Sequence, residues 1–129
     1  MYEILRDSRV TINEHGNVPP FANNLRLYEA TGAGAALVTD WKANLHEMFE
    51  PEKEVVSYRT TEECIAKVED LLGHEERRAA IAAAGHQRTL RDHTYRQRME
   101  DFARLVDTLK GSPATPAAAA RPETRLGGA

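Results

Sequence analysis

An uninterrupted apolar segment, AALVT at residues 35–39, is the feature that most limits how this sequence can fold. Gly32 and Gly34 precede the segment and Asp40 follows it, so turn-forming residues bound it on both sides. A short apolar run of this kind is typical of a strand that is covered on both faces, and such strands belong to parallel sheets. The segment therefore predicts an α/β fold.

Strand and helix patterns alternate along the rest of the chain. Runs rich in β-branched or apolar residues predict strands at 10–13, 35–39 and 54–58. Helical patterns cover 2–8, the segment from Asn23 or Asn24 to Gly32, 44–49, 60–72, 75–84, and the segment from Tyr95 to about Lys110. This order favours a three-layer, Rossmann-like half domain, in which helices flank a short parallel sheet of about three strands and long helices close the C-terminal end.

Two of these helices have recognisable ends or faces. Asn23 or Asn24 is a suitable N-cap for the helix before the apolar strand. Thr60 and Glu63 have the spacing of a capping box and predict the start of the fourth helix. Helical spacing places the apolar residues of that helix on one buried face: Cys64, Ile65, Val68, Leu71 and Leu72.

The chain divides into one domain and a tail. Residues 1–110 carry all the periodic patterns, whereas the sequence from 111 to 129, GSPATPAAAARPETRLGGA, is a Pro/Ala-rich segment that we expect to be disordered. A sheet of three strands is thin, and its first strand would expose a pairing edge. We therefore expect a partner chain, a homodimer through that sheet edge, or a missing upstream segment.

Composition excludes several classes of function. The formal net charge is −3, from 17 Lys and Arg against 20 Asp and Glu, so no overall field attracts nucleic acid or an anionic membrane. No apolar run approaches the roughly 20 residues that span a bilayer, and the charged start MYEILRDSRV does not resemble a signal peptide. With Cys64 as the single cysteine, no internal disulfide can form, and we expect a cytoplasmic protein. The histidines lack ligand spacing, so no metal site is expected.

Polar residues follow each predicted strand. His15 and Gly16 come after the first strand, Asp40 after the second, and Arg59 and Thr60 after the third. Because the carboxyl ends of parallel strands meet at one edge of a sheet, we expect these residues to lie close together in a ligand-binding crevice.

The loop EHGNVPPFA, residues 14–22, leads into the helix that carries Arg26 and Glu29. Backbone amides, a helix N-terminus and a guanidinium favour a phosphate site near the loop. Glu29 lies roughly one and a half turns into the helix, where its carboxylate could accept hydrogen bonds from the vicinal hydroxyls of a ribose.

Several blocks in this order resemble a known family. NLRLYEATGAGAALVTD, with VTINEHG before it and NLHEMF, EVVSY and TTEECIAKVEDLL after it, is similar to the C-terminal half of the nucleotide-binding lobe in GT-B glycosyltransferases. The resemblance runs from about Tyr2 to Phe102 and is greatest to the glycosyltransferase-like family associated with bacterial spore-maturation proteins. RTLRDHTYRQRMEDF also resembles the final helices of that family.

The resemblance implies a transferase that uses a nucleoside diphosphate sugar as donor, with no cofactor and no metal. The residues that it assigns to donor binding are Gly16, Asn17, Asn24, Arg26 and Glu29. Positions at strand ends add Asp40 to the donor site and make His15 the candidate catalytic residue. Many retaining relatives have a Glu eight residues before the position of Glu29, where this chain has Phe21. Since relatives take their acceptor site from an N-terminal lobe, we expect the isolated chain to bind nucleotide weakly and to turn over little. The alternative is a non-catalytic interaction module that uses the sheet edge and the final helix.

Overall fold

The structure is a computed structural model that describes residues 1–16 and 20–111. Three strands form one parallel sheet in the order β1 (Val10–Asn13), β2 (Ala36–Asp40) and β3 (Val56–Tyr58). Val10 pairs with Ala36, and Val38 pairs with both Ile12 and Val56. The helices are α1 (Tyr2–Asp7), α2 (Arg26–Gly32), α3 (Leu45–Met48), α4 (Thr61–Gly73), α5 (Glu75–Asp92) and α6 (Tyr95–Gly111).

Side chains on β2 alternate between two apolar clusters, one on each face of the sheet. Leu37 points into a cluster that contains Leu5 of α1 and Leu27 of α2. Ala36 and Val38 point to the other face, where the cluster includes Leu71 of α4 and Ile81 of α5. Because β2 is covered on both faces, it has no exposed polar positions before Asp40, as the apolar run in the sequence predicts. The fold is the predicted Rossmann-like half domain with three layers.

A glycine turn connects α2 directly to β2. Gly34 has φ +85°, its N–H donates to the carbonyl of Thr31, and the N–H of Ala35 donates to the carbonyl of Ala30. This pair of hydrogen bonds is the Schellman motif, in which the residue with positive φ satisfies the last carbonyls of the helix. The turn fixes where α2 ends and brings its buried face against the sheet.

The start of α2 differs from the prediction. The helix begins at Arg26, with Leu25 at the N-cap position and no side-chain cap. Asn24 instead exchanges hydrogen bonds with the side chain of Asn13, at 2.9 and 3.2 Å, and donates to the carbonyl of Glu14. The amide of Asn24 therefore fastens the end of the loop to the end of β1, so it cannot cap the helix.

Two further helix predictions and one strand prediction need correction. In α4, Thr60 accepts a hydrogen bond from the N–H of Glu63 as predicted, but Ile65 and Leu72 are exposed. The residues of the stripe that pack against the core are Cys64, Val68 and Leu71. The helix predicted to end at Ala84 continues to Asp92 as α5. The strand predicted to begin at residue 54 begins at Val56.

The last helix, α6, has the predicted helical spacing but no partner for its apolar side chains in the part of the chain that the structure describes. Its exposed apolar residues are Tyr95, Met99, Phe102, Leu105 and Leu109. No helix among the described residues has the length and apolar character that a membrane span requires. The expectation of a disordered tail concerns residues 111–129. Gly111 is the last residue of α6, and residues 112–129 lie outside the described residues, as does the predicted site residue Asn17.

Candidate functional site

The three strands end at a polar crevice of about 350 Å³. Its lining residues follow one strand end or another: Glu14, Gly16, Asp40, Trp41, Lys42, Tyr58, Arg59, Thr60 and Thr61. The structure thus brings Gly16, Asp40 and Arg59 together at one edge of the sheet. Gly16 occupies this position with φ +70°, a conformation that glycine adopts without strain.

Asp40 is the centre of the hydrogen bonding at this crevice. One carboxylate oxygen, Oδ1, lies 2.6 Å from Nδ1 of His15 and 3.1 Å from the backbone nitrogen of the same residue. The other oxygen, Oδ2, lies 3.2 Å from Nζ of Lys42. Burial alone would raise the pKa of Asp40, but the hydrogen bonds from His15 and Lys42 outweigh it and hold the pKa below its usual value. Asp40 is therefore an ionised acceptor, so Nδ1 of His15 carries a proton.

His15 lies beneath the crevice, not on its surface. Only 2% of its side chain is exposed, and Nε2 is buried without a hydrogen-bond partner among the described residues. The catalytic role predicted for His15 would require a movement that lets a substrate reach Nε2. In the present arrangement, His15 holds Asp40 in place.

Lys42, Trp41 and Tyr58 belong to the crevice although the sequence did not single them out. Nζ of Lys42 also donates to the carbonyl of Gly16 at 3.0 Å, and the guanidinium of Arg59 lies 3.9 Å from the ring centre of Trp41. The Tyr58 hydroxyl donates to the carbonyl of Asn13, and burial raises the pKa of Tyr58 to about 12. The position of Trp41 and Lys42 directly after a strand end was the available signal.

Glu29 lines a second and larger cavity of about 650 Å³. We refer to it as the Glu29 cavity; α1, α2, α5 and the start of α6 surround it. The described residues that line it are Tyr2, Glu3, Arg6, Leu25, Tyr28, Glu29, Gly32, Ala33, Thr89, His93, Thr94, Tyr95 and Arg98. Glu29 is thus not among the described residues that line the crevice. The carboxylate of Glu29 is 17% exposed and lies 3.7 Å from the guanidinium of Arg26.

Aromatic and cationic groups form one wall of the Glu29 cavity. Arg98 donates to the hydroxyl of Tyr28 at 3.1 Å, and its guanidinium lies 5.3 Å from the centre of the same ring. Nε2 of His93 lies 2.8 Å from the carbonyl of Met48. Burial lowers the pKa of His93 despite that hydrogen bond. A neutral imidazole here leaves Arg98 as the cationic group of this wall.

The loop after β1 connects the two sites. Glu14 and Gly16, at its beginning, line the crevice, while Leu25, at its end, lines the Glu29 cavity. Asn24 holds the end of the loop to β1 through Asn13.

Comparison with known families agrees with this architecture. A family model described as glycosyl transferase-like matches residues 1–104. The chain belongs to the glycosyl transferase-like family. Neither a search of the curated proteins nor a search of the solved structures finds a match. Family membership supports a glycosyltransferase type of function.

Two further features of the described residues concern metal binding and the charge of α5. Within residues 1–16 and 20–110, no group of three or more His, Cys, Asp or Glu side chains could hold a metal ion. The basic residues of α5 are largely engaged: Arg77 pairs with Asp70, and Arg88 pairs with Asp92 at 2.8 Å. The positive charge of α5 is therefore largely balanced by acidic neighbours.

Proposed function

We propose that this chain is the donor-binding part of a glycosyltransferase of the GT-B type, similar to the spore-maturation-associated members, and that it binds a nucleoside diphosphate sugar. The observation that carries the proposal is the position of Glu29, whose largely buried carboxylate lines a cavity of about 650 Å³. Ligand pockets usually measure about 300–1,000 Å³, so the volume suits a nucleotide.

The groups around Glu29 have the chemistry that a nucleotide needs. A carboxylate only accepts hydrogen bonds, which suits the two vicinal hydroxyls of a ribose. The guanidinium groups of Arg6 and Arg98 line the same cavity and give it positive charge, which attracts an anionic nucleotide. Arg26 lies 3.7 Å from the carboxylate of Glu29, close enough to hold it in one orientation.

In this proposal the diphosphate and the sugar extend along the loop from Leu25 towards Gly16. Asn24 and the loop amides contact the diphosphate, and Gly16 and Asp40 contact the sugar in the crevice. Lys42 and Arg59 supply positive charge at that end. Asn17 belongs to the same loop and keeps its proposed role in donor binding. The donor substrate in this proposal is the nucleoside diphosphate sugar itself, and we propose that the chain binds it without a metal or a cofactor.

Transfer to an acceptor requires groups beyond those of the donor site. We propose that the acceptor site comes from another lobe or a partner chain, so that the isolated chain binds donor but transfers little. The proposed catalytic residue within the chain is His15, whose Nδ1 is bound to Asp40 and whose buried Nε2 reaches a substrate only after a movement that exposes it.

Titration with nucleoside diphosphates tests donor binding. Glu29→Gln removes the charge and keeps the shape, and hydrogen bonds to a charged group contribute about 1.5–3 kcal/mol. We expect this variant to weaken nucleoside diphosphate binding by about tenfold or more. Glu47→Gln is the matched control, because Glu47 is exposed on α3 and lines neither cavity. Calorimetric titration of the three proteins measures the difference.

A second candidate is a non-catalytic interaction module. The exposed apolar side chains of α6 favour it, since they offer a contact surface that the described chain does not cover. An absence of nucleoside diphosphate binding to the wild-type chain would support this candidate. Binding that is unchanged in Glu29→Gln would instead place the nucleotide outside the Glu29 cavity.

A further inference from the structure

Two largely exposed aromatic rings from different helices line the Glu29 cavity. Tyr2 of α1 and Tyr95 of α6 both line the cavity, although 61% and 77% of their surfaces are exposed. Exposed rings at the mouth of a cavity offer their faces to a planar ligand. A base that stacks on an aromatic side chain gains about 1–3 kcal/mol, so these rings suit a nucleobase.

Glu3 lines the same cavity as these rings and has no bound partner among the described residues. Among the described residues, its carboxylate makes no ion pair and no hydrogen bond, whereas Arg6 pairs with Asp7 and Arg98 binds Tyr28. A carboxylate has acceptors only, so its ligand must present N–H or O–H donors. Glu3 is therefore the polar group in this part of the cavity that is free to read the edge of a base.

The four common bases differ in the donors that they can offer to a carboxylate. Guanine presents a ring N–H and an adjacent amino group, which together match the two oxygens of a carboxylate. Uracil presents a single ring N–H between two carbonyl acceptors, which the carboxylate repels. Adenine and cytosine each present one amino group beside a ring nitrogen that is itself an acceptor. Glu3 thus favours guanine over the other three bases.

We propose that the base of the donor nucleotide lies against Tyr2 and Tyr95 and that Glu3 selects guanine, so that the donor is a guanosine diphosphate sugar. This inference rests on the proposed function, because it places the base in the cavity whose Glu29 binds the ribose. Tyr95 supplies affinity for any base, and Glu3 supplies the discrimination between bases.

Titrations of the full chain with GDP, UDP and ADP test the proposal. We expect the wild type to bind GDP at least about tenfold more tightly than UDP or ADP, the ratio that one charge-assisted hydrogen-bonded pair provides. Glu3→Gln should lose most of this preference by weakening GDP alone, and Tyr95→Ala should weaken all three nucleotides. Glu100→Gln, an exposed carboxylate on α6 outside the cavity, is the matched control.

The outcomes separate this inference from the proposed function. Equal affinities for the three nucleotides, together with a loss in Glu29→Gln, would overturn the guanine assignment and keep the proposed function. Binding that Tyr95→Ala leaves unchanged would overturn the placement of the base. No binding of any nucleoside diphosphate would overturn both. Since Glu3 and Tyr95 are exposed, thermal unfolding should show that each variant is as stable as the wild type.

Discussion

Asp40 combines two tasks in one side chain. Its Oδ1 accepts hydrogen bonds from the ring and backbone of His15, and its Oδ2 binds Lys42, which in turn donates to the carbonyl of Gly16. These contacts tie the segment after β1 to the segment after β2. The carboxylate that faces the crevice therefore also fixes the shape of the crevice.

Asp40→Asn should lower stability in a way that depends on pH. Hydrogen bonds to a charged group contribute about 1.5–3 kcal/mol, so we expect a loss of about 1–3 kcal/mol in the free energy of unfolding at pH 7. The folded-state pKa of Asp40 lies below its unfolded value of about 3.9. The stabilisation is therefore present above about pH 4 and is lost as the pH falls through the folded-state pKa.

Urea unfolding of wild type and Asp40→Asn between pH 7 and pH 3 measures this effect. The difference between the two proteins should stay constant down to about pH 5 and shrink below about pH 4. Asp107→Asn on the exposed face of α6 serves as the control and should show no such difference. A gap between wild type and Asp40→Asn that persists unchanged at pH 3 would contradict the role of the ionised carboxylate.

The sequence could place some of the site residues but not all of them. His15, Gly16, Asp40 and Arg59 follow strand ends, and the topology of a parallel sheet is sufficient to bring them together. The surroundings of Glu29 could not be predicted in the same way. Its cavity depends on how α1, α5 and the first residues of α6 are placed around α2, and no short sequence pattern encodes the placement of helices that are distant in the chain.

At the scale of elements, α5 shows where a local rule fails. Gly85 interrupts an alanine-rich segment, and local propensity favours the end of the helix there. The helix continues because Gly85 packs against the backbone of Glu54, two residues before β3. A Cβ built on this glycine would lie 2.4 Å from the carbonyl oxygen of Glu54. A tertiary contact has therefore overridden the intrinsic propensity. The apolar run of β2 and the helical period of α4 made these two elements predictable, because burial and propensity agree there.

Gly85→Ala should destabilise the protein although alanine is the better helix former. Propensity alone would favour alanine by about 1 kcal/mol, whereas a methyl group forced against backbone costs about 1–3 kcal/mol. We expect a net loss in the free energy of unfolding, measured by urea denaturation with circular dichroism. Gly73→Ala is the matched control, because a Cβ at Gly73 meets no atom within 4 Å. An increase in stability for Gly85→Ala would mean that α5 lies farther from Glu54.

At the scale of the whole molecule, two surfaces of the described chain have no partner within it. β1 is an edge strand with Ile12 exposed, and the apolar face of α6 is exposed along most of its length. The sequence predicted the open edge from the small number of strands. It could not predict that the last apolar stripe would stay uncovered, because a stripe that faces a core and one that faces solvent have the same period.

We expect the chain to self-associate through the apolar face of α6, since contiguous exposed apolar surface promotes association. Phe102 lies at the middle of that face. In light scattering across a concentration series, the average mass of the wild type should rise with concentration. The average mass of Phe102→Glu should stay at that of the 14.4 kDa monomer. Thr108→Glu is the control, because at 3.6 residues per turn Thr108 lies on a different side of α6 and the added charge should leave association unchanged.

A third variant distinguishes the two surfaces. Ile12→Lys places a charge on the exposed edge strand β1, and charged side chains on an edge oppose strand pairing. If association goes through α6, Ile12→Lys should associate as the wild type does. If Ile12→Lys alone abolishes it, the contact is the sheet edge and α6 remains exposed in the assembly. A wild type that stays monomeric at every concentration would show that neither surface joins two copies of this chain.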